Sequence, residues 1–114
     1  MKIIIAGSRT IYPSLDDISN SIESFGYFPE EVVSGGAIGV DQEGEKWARA
    51  NNVPMTQFLP DWLTFKKAAG FFRNQEMATY ADGLIAFWDG KSRGTKNMIE
   101  TMEAMGKPAH VIIR

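Results

Sequence analysis

Two glycine-rich segments of the chain carry residue types that commonly hold a phosphate group. The first reads SGGAIGVD, Ser34 to Asp41, and the second reads WDGKSRGT, Trp88 to Thr95. Glycine has no Cβ atom, so a phosphate oxygen can approach its backbone closely. Each segment also leads into a helix-forming stretch, whose first N–H groups attract anions. For the first segment we favour phosphate contact over a turn that merely lets helix and strand pack closely.

Three arginines could supply the opposite charge. Arg93 lies in the second segment, and Arg9 follows Gly7 and Ser8 at the end of an apolar run. A solvated loop arginine is an equally good interpretation of Arg9. Arg73 stands in GFFRNQEM among apolar neighbours, and a buried cation needs an anionic partner, either a protein carboxylate or a ligand phosphate. For Arg73 we favour the ligand.

Other side chains near these segments have two interpretations each. Asp41 could contact a ribose hydroxyl or act as a base, although complementing the N-terminus of its own helix is the simpler role. Trp62 and Trp88 are candidates for stacking on a base, or are aromatics of the core or of an interface. Glu43 and Glu45 are interpreted as solvated helix residues.

The elements that must position these residues alternate along the chain. Apolar runs predict strands, and helical spacing with capping residues predicts helices, in the order strand 2–6, helix 15–25, strand 31–34, helix 38–51, strand 53–59, a helix ending near 80, strand 83–88, helix 95–105 and strand 108–113. This alternation predicts an α/β, Rossmann-like, doubly wound fold with a mostly parallel five-stranded sheet and helices on both faces. Ligands of such sheets bind beyond the carboxyl ends of the strands. Both glycine-rich segments, the segment at 7–10 and the region around Asp61 should therefore face one crevice.

Composition limits the function classes. The 114 residues suit one domain, and a net charge of -2 offers no basic surface for nucleic acid. The chain has no cysteine and a single histidine, His110, so neither a disulfide nor a usual zinc site is expected. We expect no metal and no cofactor. The N-terminal apolar stretch is too short for a signal peptide and no run of about 18 apolar residues occurs, so we expect a soluble, cytoplasmic protein without membrane contact.

Neither glycine-rich segment spells a common nucleotide fingerprint. The chain contains no P-loop motif, GxxxxGK followed by Ser or Thr. The first segment also lacks the dinucleotide-binding motif GxGxxG. Ordinary ATPase and dehydrogenase functions therefore lose support.

Four stretches of the chain together resemble a known family. They read GSR, VVSGGAIGVDQEGEKWA, RNQEMATYADGLIAFWDGKSRGT and GKPAHVI, and they are similar to the SLOG superfamily, in particular its small YspA-like, cpYpsA-related group. That superfamily includes Lonely Guy phosphoribohydrolases, DNA-processing protein A domains and nucleotide-sensing domains. The resemblance implies one nucleotide-binding domain over residues 1–114. It also implies that Ser34, Gly35, Gly36 and Gly39 form the first glycine motif, that Arg73 is the family arginine, and that Gly94 and Thr95 receive the phosphate.

One departure from the Lonely Guy motif concerns catalysis. The motif PGGxGTxxE ends in a glutamate that helps to cleave the N-glycosidic bond, and Met98 stands in its place here. Methionine can neither accept a proton nor stabilise an oxocarbenium ion. Glu100 lies about 200° further around the helix and should face away. The resemblance thus supports the phosphate-binding half of the site and not the hydrolytic half.

The leading hypothesis is a module that senses or sequesters a nucleotide or nucleotide-derived ligand, such as an ADP-ribose-like molecule or a nucleoside monophosphate. The alternative is a nucleoside 5'-monophosphate N-glycosidic hydrolase in which Asp41 and Arg73 are catalytic, with Asp89 as a second candidate for the missing carboxylate. Single-stranded DNA binding is weaker because of the acidic charge. The predicted ligand-binding residues are Gly7, Ser8, Arg9, Ser34, Gly35, Gly36, Gly39, Val40, Asp41, Arg73, Asn74, Trp88, Asp89, Ser92, Arg93, Gly94 and Thr95.

We also expect a homo-oligomer, a dimer or larger. So short a chain should leave much of its sheet edge exposed, together with a helix that carries Met98, Met102 and Met105 at helical spacing. Those methionines belong either to the core or to a subunit contact.

Overall fold

Five parallel strands form one sheet in the computed structural model, which describes residues 1–114. The elements in chain order are β1 (Lys2–Gly7), α1 (Leu15–Phe25), β2 (Glu31–Ser34), α2 (Val40–Ala50), β3 (Met55–Gln57), α3 (Trp62–Phe65), α4 (Ala69–Tyr80), β4 (Gly83–Trp88), α5 (Arg93–Ala104) and β5 (Ala109–Ile113). The strand order is β3-β2-β1-β4-β5 and every pairing is parallel. The predicted Rossmann-like α/β fold is confirmed.

Helices cover both faces of this sheet, which explains why its strands are continuous apolar runs. Successive side chains of a strand point to opposite faces. In β1, Ile3 and Ile5 pack with residues of α1 and α2, whereas Ile4 and Ala6 pack with residues of α4 and α5. The two clusters form two cores, one on each side of the sheet.

The structure changes several predicted boundaries. Helix α2 begins at Val40 rather than at residue 38, because Gly39 before it has a φ of 81°, outside the helical region. Strand β3 has three residues rather than seven, because its only neighbour, β2, pairs with it just from Val32 to Ser34. The uncertain helix after β3 consists of α3, one 3-10 turn over Lys66–Ala68, and α4.

The strands are added to the sheet first on one side of β1 and then on the other. The chain runs outward from β1 through β2 to β3, and then crosses back to place β4 on the other side of β1. The carboxyl ends of β1 and β4 therefore flank the topological switch point, where parallel sheets of this kind bind ligands.

The methionine-bearing helix does not support the expected oligomer. Met98 and Met102 are 1% and 0% exposed in the core beneath α5, and Met105 is partly buried against the same cluster, so two of the three methionines are core residues. The homo-oligomer itself stays a prediction.

His110 lies in β5 with its ring stacked 6.4 Å from that of Phe25. None of the helices combines the length and hydrophobicity needed to cross a membrane.

A lysine from the last loop closes the end of α4. The Nζ atom of Lys107 donates to the carbonyl oxygens of Ala78 (2.7 Å), Thr79 (3.2 Å) and Ala81 (2.8 Å). The last carbonyls of a helix lack intrahelical donors and carry partial negative charge. The ammonium group therefore stabilises α4 and ties it to the loop before β5.

Replacing Lys107 by methionine should destabilise the fold. Lys107→Met keeps most of the apolar stem and removes the charged donor, so we expect the free energy of unfolding to fall by about 1.5–3 kcal/mol. Urea denaturation measures this. Lys96→Met is the matched control, because Lys96 is exposed on α5, and it should change stability by less than about 0.5 kcal/mol. Equal effects of the two variants would rule out the capping role.

Candidate nucleotide-binding cleft

A cleft of about 210 Å³ lies at the carboxyl ends of the strands, at the switch point. Six of the predicted ligand-binding residues line it: Arg9, Asp41, Arg73, Asn74, Gly94 and Thr95. The remaining lining residues are Ala6, Trp62, Lys67, Gly70, Phe71, Met77 and Met98. Three cationic side chains and a single carboxylate thus share one small cavity.

The other predicted ligand-binding residues do not line the cleft. They are Gly7, Ser8, Ser34, Gly35, Gly36, Gly39, Val40, Trp88, Asp89, Ser92 and Arg93. Several of them hold the loops that do form the walls. The indole N–H of Trp88, for example, donates to the carbonyl oxygen of Ser92 (3.0 Å), while Ser8 Oγ accepts from the Asp89 N–H (3.2 Å).

Arg73 reaches from α4 to the first glycine-rich segment. Its Nη1 atom donates to the carbonyl oxygen of Gly35 (2.7 Å), and its Nε atom donates to Asn74 Oδ1 (3.1 Å). A Cβ atom at position 35 would lie 2.5 Å from that Nη1 atom. Gly35 is therefore required for the arginine to approach the backbone. The other terminal nitrogen, Nη2, has no hydrogen bond within the protein and can donate to a ligand.

Asp41 is buried beside this arginine. It is 5% exposed, and its Oδ2 atom accepts from the N–H of Ala37 (3.3 Å). Burial raises the pKa of Asp41 from the usual 3.8 to about 6, although the Ala37 hydrogen bond and the Arg73 charge act in the opposite direction. Burial also lowers the pKa of Arg73. A carboxyl group with a raised pKa inside a cleft is typical of functional sites.

The protein itself uses part of the backbone of the first glycine-rich segment. The N–H of Gly36 donates to Ser34 Oγ (3.1 Å), and the N–H of Ala37 donates to Asp41, so neither is free for a phosphate. Ser34 Oγ in turn donates to Glu45 Oε2 (2.6 Å). Glu45 is only 7% exposed, and the interpretation of this residue as solvated was wrong, because its carboxylate completes this internal network.

The start of α5 keeps some donors free. Asp89 Oδ1 accepts from the N–H groups of Lys91 and Ser92, both at 2.8 Å, and these bonds lower the pKa of Asp89. Ser92 caps the helix by accepting from the N–H of Thr95 (3.5 Å). The N–H groups of the first helical turn have no intrahelical acceptor, which leaves that of Gly94 available at the wall of the cleft.

The 3-10 turn after α3 and the first turn of α4 contribute residues that the sequence did not single out. Lys67, Gly70 and Phe71 line the cleft beside Trp62. The only pattern that pointed to them was their position after a strand that ends at the same edge of the sheet. Across residues 1–114, no group of three or more histidine, aspartate or glutamate side chains is arranged to hold a metal ion.

The raised pKa of Asp41 predicts pH-dependent stability. Because the folded-state pKa of about 6 exceeds the usual 3.8, the stabilisation from protonated Asp41 is complete below about pH 4 and is lost as the pH rises through 6. Asp41→Asn resembles the protonated form and does not titrate. Relative to the wild type, its unfolding free energy should therefore rise by about 2.4 kcal/mol between pH 4 and 7.

Chemical denaturation across that pH range measures the difference. Glu100→Gln is the control, since Glu100 is exposed on α5 and does not line the cleft, and its difference from the wild type should stay nearly constant. A constant difference for Asp41→Asn as well would contradict the raised pKa.

One known protein family matches the part of the chain that contains the first glycine-rich segment. The model of the family described as YAcAr, the YspA, cpYpsA-related SLOG family, matches residues 1–65. This span includes Arg9 and Asp41 of the cleft, whereas Arg73, Gly94 and Thr95 lie beyond it. No curated protein and no solved structure matches the chain. Because the matched span exceeds half of the sequence, the chain belongs to the YspA, cpYpsA-related SLOG family.

Proposed function

We propose that residues 1–114 form one nucleotide-binding domain whose cleft holds a nucleotide or nucleotide-derived ligand, in order to sense or sequester it. The observation that carries this proposal is the convergence of Arg9, Lys67 and Arg73 on one cavity. The protein as a whole carries a net charge of -2, whereas three cations and one carboxylate line the cleft. Membership of the SLOG family supports a nucleotide-related function.

The ligand's phosphate is proposed to lie against the start of α5. Gly94 offers a backbone N–H, Thr95 lies in the same wall, and the three cations supply opposite charge. Arg73 contributes its free Nη2 atom. The first glycine-rich segment then acts indirectly, because Gly35 lets Arg73 take its place beside the cleft.

Asp41 is proposed to accept a hydrogen bond from a ribose hydroxyl. It is the one carboxylate that lines the cleft, and the Ala37 hydrogen bond at 3.3 Å leaves its oxygens with further lone pairs that can accept from a ligand. A cavity of about 210 Å³ is smaller than the ~300–1,000 Å³ of most ligand pockets. It suits the nucleoside monophosphate portion of a ligand, so an ADP-ribose-like molecule would extend beyond the opening.

Ligand binding and the role of Arg9 can be tested together. We would measure the thermal stability of the protein with nucleoside monophosphates, NAD, ADP-ribose and cyclic nucleotides, with a single-stranded oligonucleotide as competitor. A ligand at 100 times its dissociation constant should stabilise the fold by about 2.7 kcal/mol. Arg9→Gln should weaken its affinity about tenfold, equivalent to ~1.4 kcal/mol, because it removes a cation that lines the cleft.

Arg49→Gln is the matched control. Arg49 is also an exposed arginine, but it lies in the last turn of α2 and does not line the cleft, so its loss should leave the affinity nearly unchanged. Absence of any stabilisation across the panel would refute nucleotide binding, and displacement of the ligand by the oligonucleotide would favour single-stranded DNA as the partner.

Hydrolysis of a nucleoside monophosphate is the second candidate, and one observation favours it. Asp41 lies in the cleft with a pKa of about 6 and with Arg73 nearby. Its carboxylate could stabilise positive charge that develops on the ribose as the N-glycosidic bond breaks. Met98 lines the cleft where the Lonely Guy glutamate would stand, and Asp89 is engaged with the N–H groups that precede α5. Asp41 is thus the remaining candidate for the carboxylate.

Chromatography of ligand mixtures for released base distinguishes the enzyme from the binder. If the protein is a hydrolase, Asp41→Asn should bind the nucleotide with similar affinity but lose turnover by about 100-fold or more, because it removes the charge that acts in the transition state. Glu100→Gln serves as the control with unchanged turnover. Intact nucleotide after long incubation with the wild type would exclude hydrolysis and leave the binding function in place.

A further inference from the structure

The wall of the cleft built by α3 and the start of α4 is aromatic. Trp62 and Phe71 both line the cavity, although they are 52% and 50% exposed to solvent. The first follows the Asp61 cap of α3 and the second lies in the opening turn of α4. Large aromatic side chains this exposed beside a charged cleft need a reason beyond packing of the core.

Core packing does not provide that reason. Helix α3 and the 3-10 turn after it contain no buried residue, and α3 packs mainly on α4 and on that turn rather than on the sheet. The position of α3 is set locally, because Asp61 Oδ1 accepts from the N–H of Thr64 (3.1 Å). Trp62 is therefore held at the cleft by a short capped helix whose apolar surface the fold leaves open.

The space next to these rings is open. Gly70 lines the cleft between the two aromatic residues in sequence, and a Cβ atom at this position would meet nothing within 4 Å. Met77, also in the lining, adds apolar surface. The cavity thus combines a charged part, which contains Arg9 and Arg73, with an aromatic and apolar part.

We infer that Trp62 is the specificity-determining contact for the base of the ligand, with its indole ring stacked on a purine or pyrimidine and Phe71 beside it. This inference rests on the proposed function and extends it from a phosphate site to a site that requires a base. Stacking is tolerant of base identity because every base has a π face. Trp62 should therefore distinguish nucleotides from sugar phosphates more strongly than it distinguishes one base from another.

Isothermal titration with two kinds of probe tests the inference. The probes are the four common nucleoside 5'-monophosphates and ribose 5-phosphate, which lacks a base. The wild type should bind at least one nucleotide about tenfold or more tightly than ribose 5-phosphate. Trp62→Ala should remove that preference and leave the affinity for ribose 5-phosphate unchanged, whereas Trp62→Phe should retain most of it because it keeps a ring.

Leu63→Ala is the matched control. Leu63 is the neighbouring residue of α3, is 87% exposed and does not line the cleft, so its truncation should change neither affinity. Nucleotide binding should also quench tryptophan fluorescence in the wild type, and this quenching should be lost in Trp62→Phe. Trp47, which is buried, and Trp88, which does not line the cleft, remain in that variant.

The outcomes separate this inference from the proposed function. If the wild type binds ribose 5-phosphate as tightly as every nucleotide, or if Trp62→Ala keeps the preference, the inference is overturned and the phosphate site stands. An equal loss for both probes in Trp62→Ala would also overturn it, since the residue would then only support the shape of the cleft. If the wild type binds neither kind of probe, the inference is overturned, and if the panel of NAD, ADP-ribose and cyclic nucleotides also fails to stabilise the fold, the proposed function fails as well.

Discussion

The contact between the guanidinium group of Arg73 and the carbonyl oxygen of Gly35 determines how the cleft is built. It joins α4 to the loop that follows β2, and the same space contains the carboxylate of Asp41, since a Cβ atom at Gly35 would lie 2.9 Å from Asp41 Oδ2. Removing two opposite charges from water is costly, and their attraction offsets only part of that cost. The rest of that cost appears in the raised pKa of Asp41 and the lowered pKa of Arg73, each of which is caused chiefly by burial.

A second carboxylate on α2, that of Glu45, is held by hydrogen bonds within the protein. Glu45 lies one helical turn after Asp41, and its Oε2 atom accepts from Ser34 Oγ (2.6 Å) and from Gln57 Nε2 (2.9 Å). These bonds connect α2 with the ends of β2 and β3. Glu45 therefore has a structural role, and its charge further raises the pKa of Asp41. Of the two acids, Asp41 alone lines the cleft and retains the capacity to accept a hydrogen bond from a ligand.

The sequence predicted the fold more fully than the cleft, for physical reasons. Strands buried on both faces are continuous apolar runs, so β1 and β4 could be predicted directly from the sequence. Arg73 was identified as a cation among apolar neighbours, but no sequence pattern shows that the carbonyl oxygen of Gly35 comes within reach of it. The burial of Glu45 was predictable in principle, because a residue four positions after Asp41 shares its helix face. Lys67 follows a helix too short to show periodicity, and only tertiary structure brings it to the cleft.

The charges of the cleft favour a binder over a hydrolase. Glycosidic cleavage generally uses two acidic groups, one to protonate the leaving group and one to stabilise the sugar cation. The cleft contains one carboxylate, and with a pKa of about 6 Asp41 is mostly ionised at neutral pH, a state suited to accepting a hydrogen bond and unsuited to donating a proton. Met98 supplies no second acid. Three cations and one acceptor match the groups of a ribose phosphate in its ground state, and this match supports the proposal of a binding function.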